Sequence, residues 1–541
     1  MNTIKDFTIK STMESEKQQK IEPDSQVQGI NRRTFLKLMG MAAGGAVLPG
    51  ALAAATPALA QAVEGGTLTF GHLGDFQYFD PFLLPLADWP MFNQLYNVLA
   101  RYNDDLEPQP ELAESWDFSE DGLTLTFNLR PGVKFHNGRD FVADDVKFSL
   151  EYAQDPDTRA NIRTLAWAVS SAEVVDDLTV SLHFAEPTPA AFDLIDLLFI
   201  VNSETIEEIN SNPVGTGPFR FAEWAPGDFA RFEKFEDYWN EGFPHLDEII
   251  VRAIPDSATM IANLEGGTLD VIAAPPASEF ERLEAADGIK VARGFPGGLV
   301  WDLSLNTGRA PFDNKLVRQA LQHALDRQRI VDIVFFNISD PWIQPQSEKS
   351  PLYDPDLEGY YTFDLDKAKS LLEEAGYADG FEFTVLTATT NPDGARLLQV
   401  FQADLAQIGI TLNIDEVEPA QYRPRALDLD FDGAIFTYGR ASKDPASLFG
   451  TTGVWRPGPE PINLSGYTSE EYRRLVAAGQ SEMDSARRQE IYQELNRYQL
   501  EQSFILVITP VVRWWAMKDS VAGFARNLDS MPILEGVSIG S

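Results

Sequence analysis

From Leu123 to Leu129 apolar and polar residues alternate: Leu123, Leu125, Phe127 and Leu129 against Thr124, Thr126 and Asn128. A period of two turns one face of a strand to a core and the other to water. Asp121-Gly122 just before it predicts a tight two-residue turn, which makes the segment one arm of a hairpin. Pro131-Gly132 ends the strand and Asn137-Gly138 marks a further turn. Asp144 is placed to cap a helix with Val146, Leu150 and Ala153 on its inner side. Upstream, Gly66–Phe70 reads as a first strand, and Leu95, Val98 and Leu99 space Met91–Tyr102 as a helix. Downstream, Glu173–Phe184 reads as a second hairpin about Asp176-Asp177, Ile249–Ile254 as a buried strand and Thr259–Leu264 as a helix.

After Leu303 the pattern changes. Asp313 precedes a helical stripe of Leu316, Val317, Ala320, Leu321, Ala324 and Leu325. A second helix runs to Gly376, where left-handed backbone is cheap. Phe381, Phe383 and Val385 then alternate, Ala395–Ile408 is helical up to Gly409, and Ile410, Leu412 and Ile414 alternate again. Strand, helix and strand with short joints predict a parallel βαβ unit. Phe431–Tyr438 is the next strand. Thr468–Glu471 forms a capping box before helical spacing that runs, with a break near Asp484, to about Gln502. Phe504–Val512 reads as a core strand. Hairpins first and βαβ units second predict an α/β chain, and 541 residues suggest about three domains.

The first residues read as an export signal. Arg32-Arg33-Thr34-Phe35-Leu36-Lys37 resembles the twin-arginine motif, and no charge follows from Leu38 to Val63. That run is interrupted by glycine and proline and reaches Ala58-Leu59-Ala60, an A-x-A cleavage site. Cleavage after Ala60 is expected. The chain has no cysteine, which removes disulfides, zinc thiolates, thiol catalysis and a lipidated anchor together.

Charge narrows the partners. With 82 acidic against 43 basic residues the net charge is −39, which disfavours nucleic acid and anionic lipid. Catalytic or metal-binding constellations do not emerge. The five histidines, His72, His136, His183, His245 and His323, are scattered, and no G-x-S-x-G occurs. The segment from Asp354 imitates an EF-hand start, but Leu365 stands where the bidentate acid belongs. Gly215-x-Gly217 is followed by Pro218 and reads as a turn rather than a nucleotide loop. No cofactor and no metal is expected.

The segment Pro110–Tyr152 carries "LAESW", "DGLTLTFNLRPGVKFHNG" and "ADDVKFSLEY", and "GTGPFRFAEWAPGD", "LEGGTLDV" and "FDLDKAKSLLEEAGYADGF" follow. Together these blocks resemble the family 5 bacterial extracellular solute-binding proteins, the peptide, nickel and oligosaccharide receptors of ABC importers. The resemblance implies a two-lobed α/β periplasmic binding protein fold of type II with an extra subdomain in the first lobe. It divides the chain into a signal peptide (1–60), lobe I (61–302, with a subdomain at about 106–212), lobe II (303–506) and a return to lobe I (507–541). It implies a periplasmic, monomeric receptor without catalysis. Such a receptor captures a peptide or similar polar solute by hinge closure and passes it to an inner-membrane permease.

The same resemblance nominates substrate-binding residues. The loop after the first strand gives Phe76, Tyr78 and, further on, Trp89. The crossing strand gives Trp301, and the loop from Tyr438 gives Tyr438, Arg440 and Asp444. In peptide-binding relatives that last loop reads W-x-x-D-x-x-D-P, its first aspartate pairing with the peptide amine. Here Tyr438 replaces the tryptophan and Ala441 that aspartate, while Arg440 and Lys443 add positive charge. The stretch Thr387–Arg396 also lacks a basic residue before Arg396, where dipeptide receptors hold the carboxylate. An oligosaccharide or anionic solute is therefore the alternative to a peptide, and nickel is disfavoured because His72 is the one histidine near the pocket loops. A secreted carbohydrate-active enzyme working with two carboxylates is the alternative of another class.

Overall fold

The structure, a computed structural model, describes residues 63–83, 91–296, 298–441, 443–458 and 463–540. The twin-arginine segment, the cleavage site and Trp89 lie outside the described residues. Residues 62–541 form one compact unit.

Strand β1 (Thr67–His72) opens the chain. After the helix Phe92–Leu95 come β2 (Ala100–Tyr102) and β3 (Pro108–Pro110), which pair with each other. A four-stranded antiparallel sheet follows from β4 (Ala113–Phe118), β5 (Thr124–Leu129), β6 (Val169–Asp176) and β7 (Thr179–Phe184), in the order β4-β5-β7-β6. Leu125, Phe127 and Leu129 are buried, as their alternation predicts. The β4–β5 turn is longer than the two residues expected. Ser119 and Thr124 are the closing pair, bonded N–H to carbonyl at 2.9 Å, and Asp121 caps the loop by accepting from Leu123 N–H at 3.0 Å.

Met91–Tyr102 departs further from its pattern. Its helix ends at Leu95, and Tyr96 is already extended. Every residue from Met91 to Ala100 is buried, so the apolar spacing reflects burial on all sides and not a helix face. Gly215 and Gly217 press on this bend, and a Cβ on them would lie 1.9 Å from the Leu95 carbonyl and 2.3 Å from that of Gln94. Gly217 N–H donates to the Leu95 carbonyl at 3.0 Å. The two glycines serve close backbone approach. His136 sits beside them, 3.0 Å from the Gly217 carbonyl, and burial pushes its imidazole down to about 4.

The main sheet of the first half has seven strands, adding β8 (Phe219–Ala225), β9 (Phe229–Lys234), β10 (Glu248–Ala253), β11 (Val271–Ala273) and β12 (Ile289–Arg293). The chain then passes to β13 (Leu299–Leu305), which opens a five-stranded sheet with β14 (Glu382–Ala388), β15 (Thr411–Val417), β16 (Gly433–Gly439) and β17 (Ile505–Val511). It returns through β18 (Trp514–Lys518) to the seven-stranded sheet. The orders are β12-β18-β11-β1-β10-β9-β8 and β15-β14-β16-β13-β17. β14 and β15 are parallel across the helix Pro392–Leu405, the predicted βαβ unit. The two passages between sheets lie side by side, with Gly294 N–H donating to the Arg513 carbonyl at 2.6 Å. One apolar cluster spans them, joining Ile272, Trp514 and Ala516 to Leu303 and Ile508.

Two helix caps fall one residue from the expected positions, and a third falls two residues away. Asn314 caps in place of Asp313, and Ser469 in place of Thr468. The helix Ala143–Gln154 begins after Val142, whose N–H is held by Asp145 at 3.1 Å, while Asp144 faces solvent.

Asp302, on the buried strand β13, carries an acid into the second core. Its Oδ2 accepts from Ser304 Oγ at 2.9 Å, and its Oδ1 is buried without a hydrogen-bond partner. Burial pushes its carboxyl up to about 8. The folded protein thus keeps a proton that an unfolded chain gives up near pH 4, so this group's contribution to stability is lost as pH rises from about 4 to about 8. Asp302→Asn should change the melting temperature little at about pH 5 and raise it relative to the parent at about pH 9. Parallel melting curves for the two proteins across that range would contradict this.

Candidate functional site

Three neighbouring strand ends of the five-stranded sheet make a floor. Leu299 at the start of β13 pairs with Gly439 at the end of β16 and with Val511 at the end of β17. Above them is a chamber of about 200 Å³. Its apolar walls are Leu299 and Val511 below, with Ile162 and Leu197 opposite. Its polar groups are Arg440, Arg513, Asp529, Ser530 and Asn161. The chamber therefore lies at the two passages between sheets and is roofed by the subdomain that inserts before β8. Arg440 has φ +72, uncommon for a residue with a Cβ. Gln346 holds that turn by donating to the carbonyls of Arg440 and Lys443 at 3.1 and 3.2 Å.

The next residues of the loop reach across to the roof. The Lys443 side chain is fully buried, and its ammonium pairs with Asp196 and, at 3.1 Å, with Asp529. It also lies 5.5 Å from the Tyr102 ring centroid. Asp196 follows the short helix Ala191–Ile195 and accepts from Tyr102 N–H at 3.0 Å. Asp193 on that helix accepts from Tyr102 Oη at 3.1 Å and from Asp444 N–H at 3.1 Å. Burial, then the nearby Asp444 carboxylate, pushes Asp193 up to about 7 against the pull of Lys443 and Arg440. Against the desolvation that burial imposes, Asp196, Asp529 and Asp193 hold the Lys443 ammonium above its ordinary value. Buried ions cost several kcal/mol each in desolvation unless paired, so this arrangement requires all its members.

The nominated residues fare unequally. Arg440 lines the chamber. Asp444 is committed elsewhere: it caps the helix Pro445–Thr451 through Ala446 N–H at 2.9 Å, and Arg488 grips both its oxygens at 2.5 and 2.6 Å. Tyr438 is buried, its hydroxyl donating to the Pro345 carbonyl at 2.7 Å and its ring edge-on to Trp455. Trp301 is buried against Phe335, with ring centroids 6.0 Å apart. Phe76 stacks on Phe79 at 5.2 Å in the core of the first half. Tyr78 is exposed. The structure thus places Phe76, Trp301 and Tyr438 as packing residues, as expected of large rings that bury much area. Ala441 is fully buried in an apolar cluster with Tyr438 and Trp455, so a carboxylate at that position would enter a core.

Sequence reasoning did not reach Arg513, Asp529, Ser530, Asn161 or the Lys443 partners. One signal was present: Asp193 and Asp196 interrupt an otherwise apolar run from Ala190 to Val201, and acids in such a run need a partner. Among the described residues no cluster of His, Asp or Glu could hold a metal ion, and no helix is long and apolar enough to cross a membrane.

Comparison with known proteins gives one family. The family described as bacterial extracellular solute-binding proteins, family 5 Middle, matches residues 107–456. Glutathione-binding protein GsiB of Pectobacterium atrosepticum is 31% identical over 417 residues, covering 74% of this chain and 79% of that protein. Heme-binding protein A of Haemophilus influenzae is 29% identical over 483 residues, covering 82% and 87%. The periplasmic binding protein AgaA of A. tumefaciens R10, solved with agropinic acid, superposes with a TM-score of 0.73 at 28% identity over 88% of this chain and 99% of that one. The chain accordingly belongs to the family 5 extracellular solute-binding proteins, the substrate-binding proteins of ABC importers.

Proposed function

We propose that this receptor takes a small anionic solute into the chamber beside Arg440 and hands it to an inner-membrane ABC permease. The observation that carries the reading is the composition of the chamber. The guanidinium of Arg440 lines it, and among the described lining residues the one carboxylate, Asp529, already pairs with Lys443. Arginine presents a planar fork of donors suited to a carboxylate or phosphate. The apolar floor and roof leave those donors in a setting of low polarity, where a charge-assisted bond is strong. The volume, about 200 Å³, is below the roughly 300–1,000 Å³ of pockets for drug-sized ligands, which favours a small solute or the acidic end of a larger one.

Relatives are named for heme and for glutathione, and one was solved with an acid, agropinic acid. All three ligands carry a carboxylate, the group whose chemistry fits the Arg440 guanidinium. The two lobes meet at the paired passages near Gly294 and Arg513, which act as a hinge. The protein works as a monomer by binding alone, without transforming its ligand, and residues 1–60 direct it to the periplasm through twin-arginine export.

Two tests follow from this reading. The ligand is identified by mass spectrometry of what is released from protein purified from its native host, and is then titrated calorimetrically. Arg440→Ala should weaken its binding by about 1–3 kcal/mol, roughly tenfold or more. Unchanged affinity would remove the chamber's main support. For export, Arg32→Lys combined with Arg33→Lys should leave uncleaved precursor in the cytoplasm, and normal maturation of that variant would rule out the twin-arginine route.

A further inference from the structure

The chamber accounts for Arg440 but not for its neighbour. Lys443 belongs to the loop that follows β16 of the five-stranded sheet, yet its ammonium lies entirely outside that sheet's own polar groups. Asp196, which it contacts, comes from the subdomain roof, and Asp529 from the chain's return after β18. Tyr102, under the ammonium, is also on the first-half side, in β2. Every partner of this cation therefore comes from across the cleft. The side chain is fully buried, so no water competes for it. Asp193 adds a bond of the same sense, from the roof to Asp444 N–H. Among the described residues a second ion pair across the cleft, Lys349 with Asp105 at 2.7 Å, is exposed on both sides and weak by comparison.

We infer that Lys443 is a built-in ammonium that draws the two lobes together and thereby selects against ligands carrying an amino group of their own. The inference rests on the proposed capture of an anion in the chamber, and deepens it. A ligand amine is one way to supply a cation that bridges the lobes. Here the loop supplies that cation in cis, and Asp529, which lines the chamber, already has its counter-charge. A ligand amine entering beside Asp529 would meet an acid already paired with Lys443, next to the guanidinium of Arg440. An anion meets the opposite field. Ala441 is not where the selection occurs, because it faces an apolar cluster and not the chamber.

Small-angle scattering on ligand-free protein tests this without knowing the solute. The parent should scatter as the compact form described above. Lys443→Ala should have a larger radius of gyration, because the loop after β16 then loses the cation that holds it to Asp196 and Asp529 on the other side of the cleft. Ethylammonium chloride should return Lys443→Ala to the compact profile and bind it at least about tenfold more tightly than it binds the parent, whereas tetramethylammonium, which has no N–H to donate, should not. An expanded ligand-free parent, or a Lys443→Ala profile identical to the parent's, would overturn the inference, as would failure of ethylammonium to bind the expanded variant. If Lys443→Ala does not fold by circular dichroism, Asp529→Asn serves instead. It leaves Lys443 paired with Asp196 and should expand the ligand-free form by a smaller amount; no expansion would again overturn the inference. Arg440→Ala reports on anion capture separately: loss of that reading with Lys443 intact leaves the lobe contact standing, and the reverse holds as well.

Discussion

A lysine with no exposed surface, held by acids from the other side of the cleft, is the interaction on which the arrangement of the site depends. Lys443 brings the end of β16 under the subdomain roof. That contact sets the height of the chamber above Leu299 and Val511, and it ties Asp529 so that Arg440 faces the chamber beside an acid that is already balanced. The loop itself is fixed from behind, by Arg488 on Asp444 and by Gln346 on the loop carbonyls. Removing any one member would strand a buried charge, which is why such networks behave as units.

The fold carries this contact by placing both passages between sheets at one spot. Arg293 pairs with Trp514 on one side of the passages, and Leu299 with Val511 on the other. The ends of the sheets are thus fixed where the chain crosses, and the roof and the β16 loop meet over those strand ends. Apolar packing continues through the passages, so the two halves share a core there. A shared core at the crossings with a polar contact between the halves is the arrangement that the proposed hinge closure calls for.

Much of the fold was legible because it rests on local chemistry. The alternation in β5, the helix ending at Gly376, the βαβ unit across Pro392–Leu405 and the turn at Asn137-Gly138 all follow from spacing and turn residues, and the structure holds each. Met91–Tyr102 was misread because its bend is imposed from elsewhere, by the backbone of Gly215 and Gly217 pressed on Leu95. The site was harder to read for the same reason. Arg440 could be nominated from its loop. The aromatic candidates could not be told from core residues, since Phe76, Trp301 and Tyr438 have the same composition signal whether they pack or bind. Lys443 and Asp196 stand far apart in sequence, and nothing local joins them. Asp193 and Asp196 in an apolar run gave the only hint, and it named a need for a partner without naming the partner.

The central claim is that the solute sits between the lobes at the strand ends of β13, β16 and β17. A crystal structure of the protein purified with its native ligand tests it most directly. The account predicts an acidic group within hydrogen-bonding distance of Arg440, over Leu299 and Val511, with Lys443 still paired to Asp196 and Asp529. A ligand found instead in the outer groove lined by Trp342, Lys349 and Tyr353, or an amino group displacing Lys443 from its acids, would contradict it.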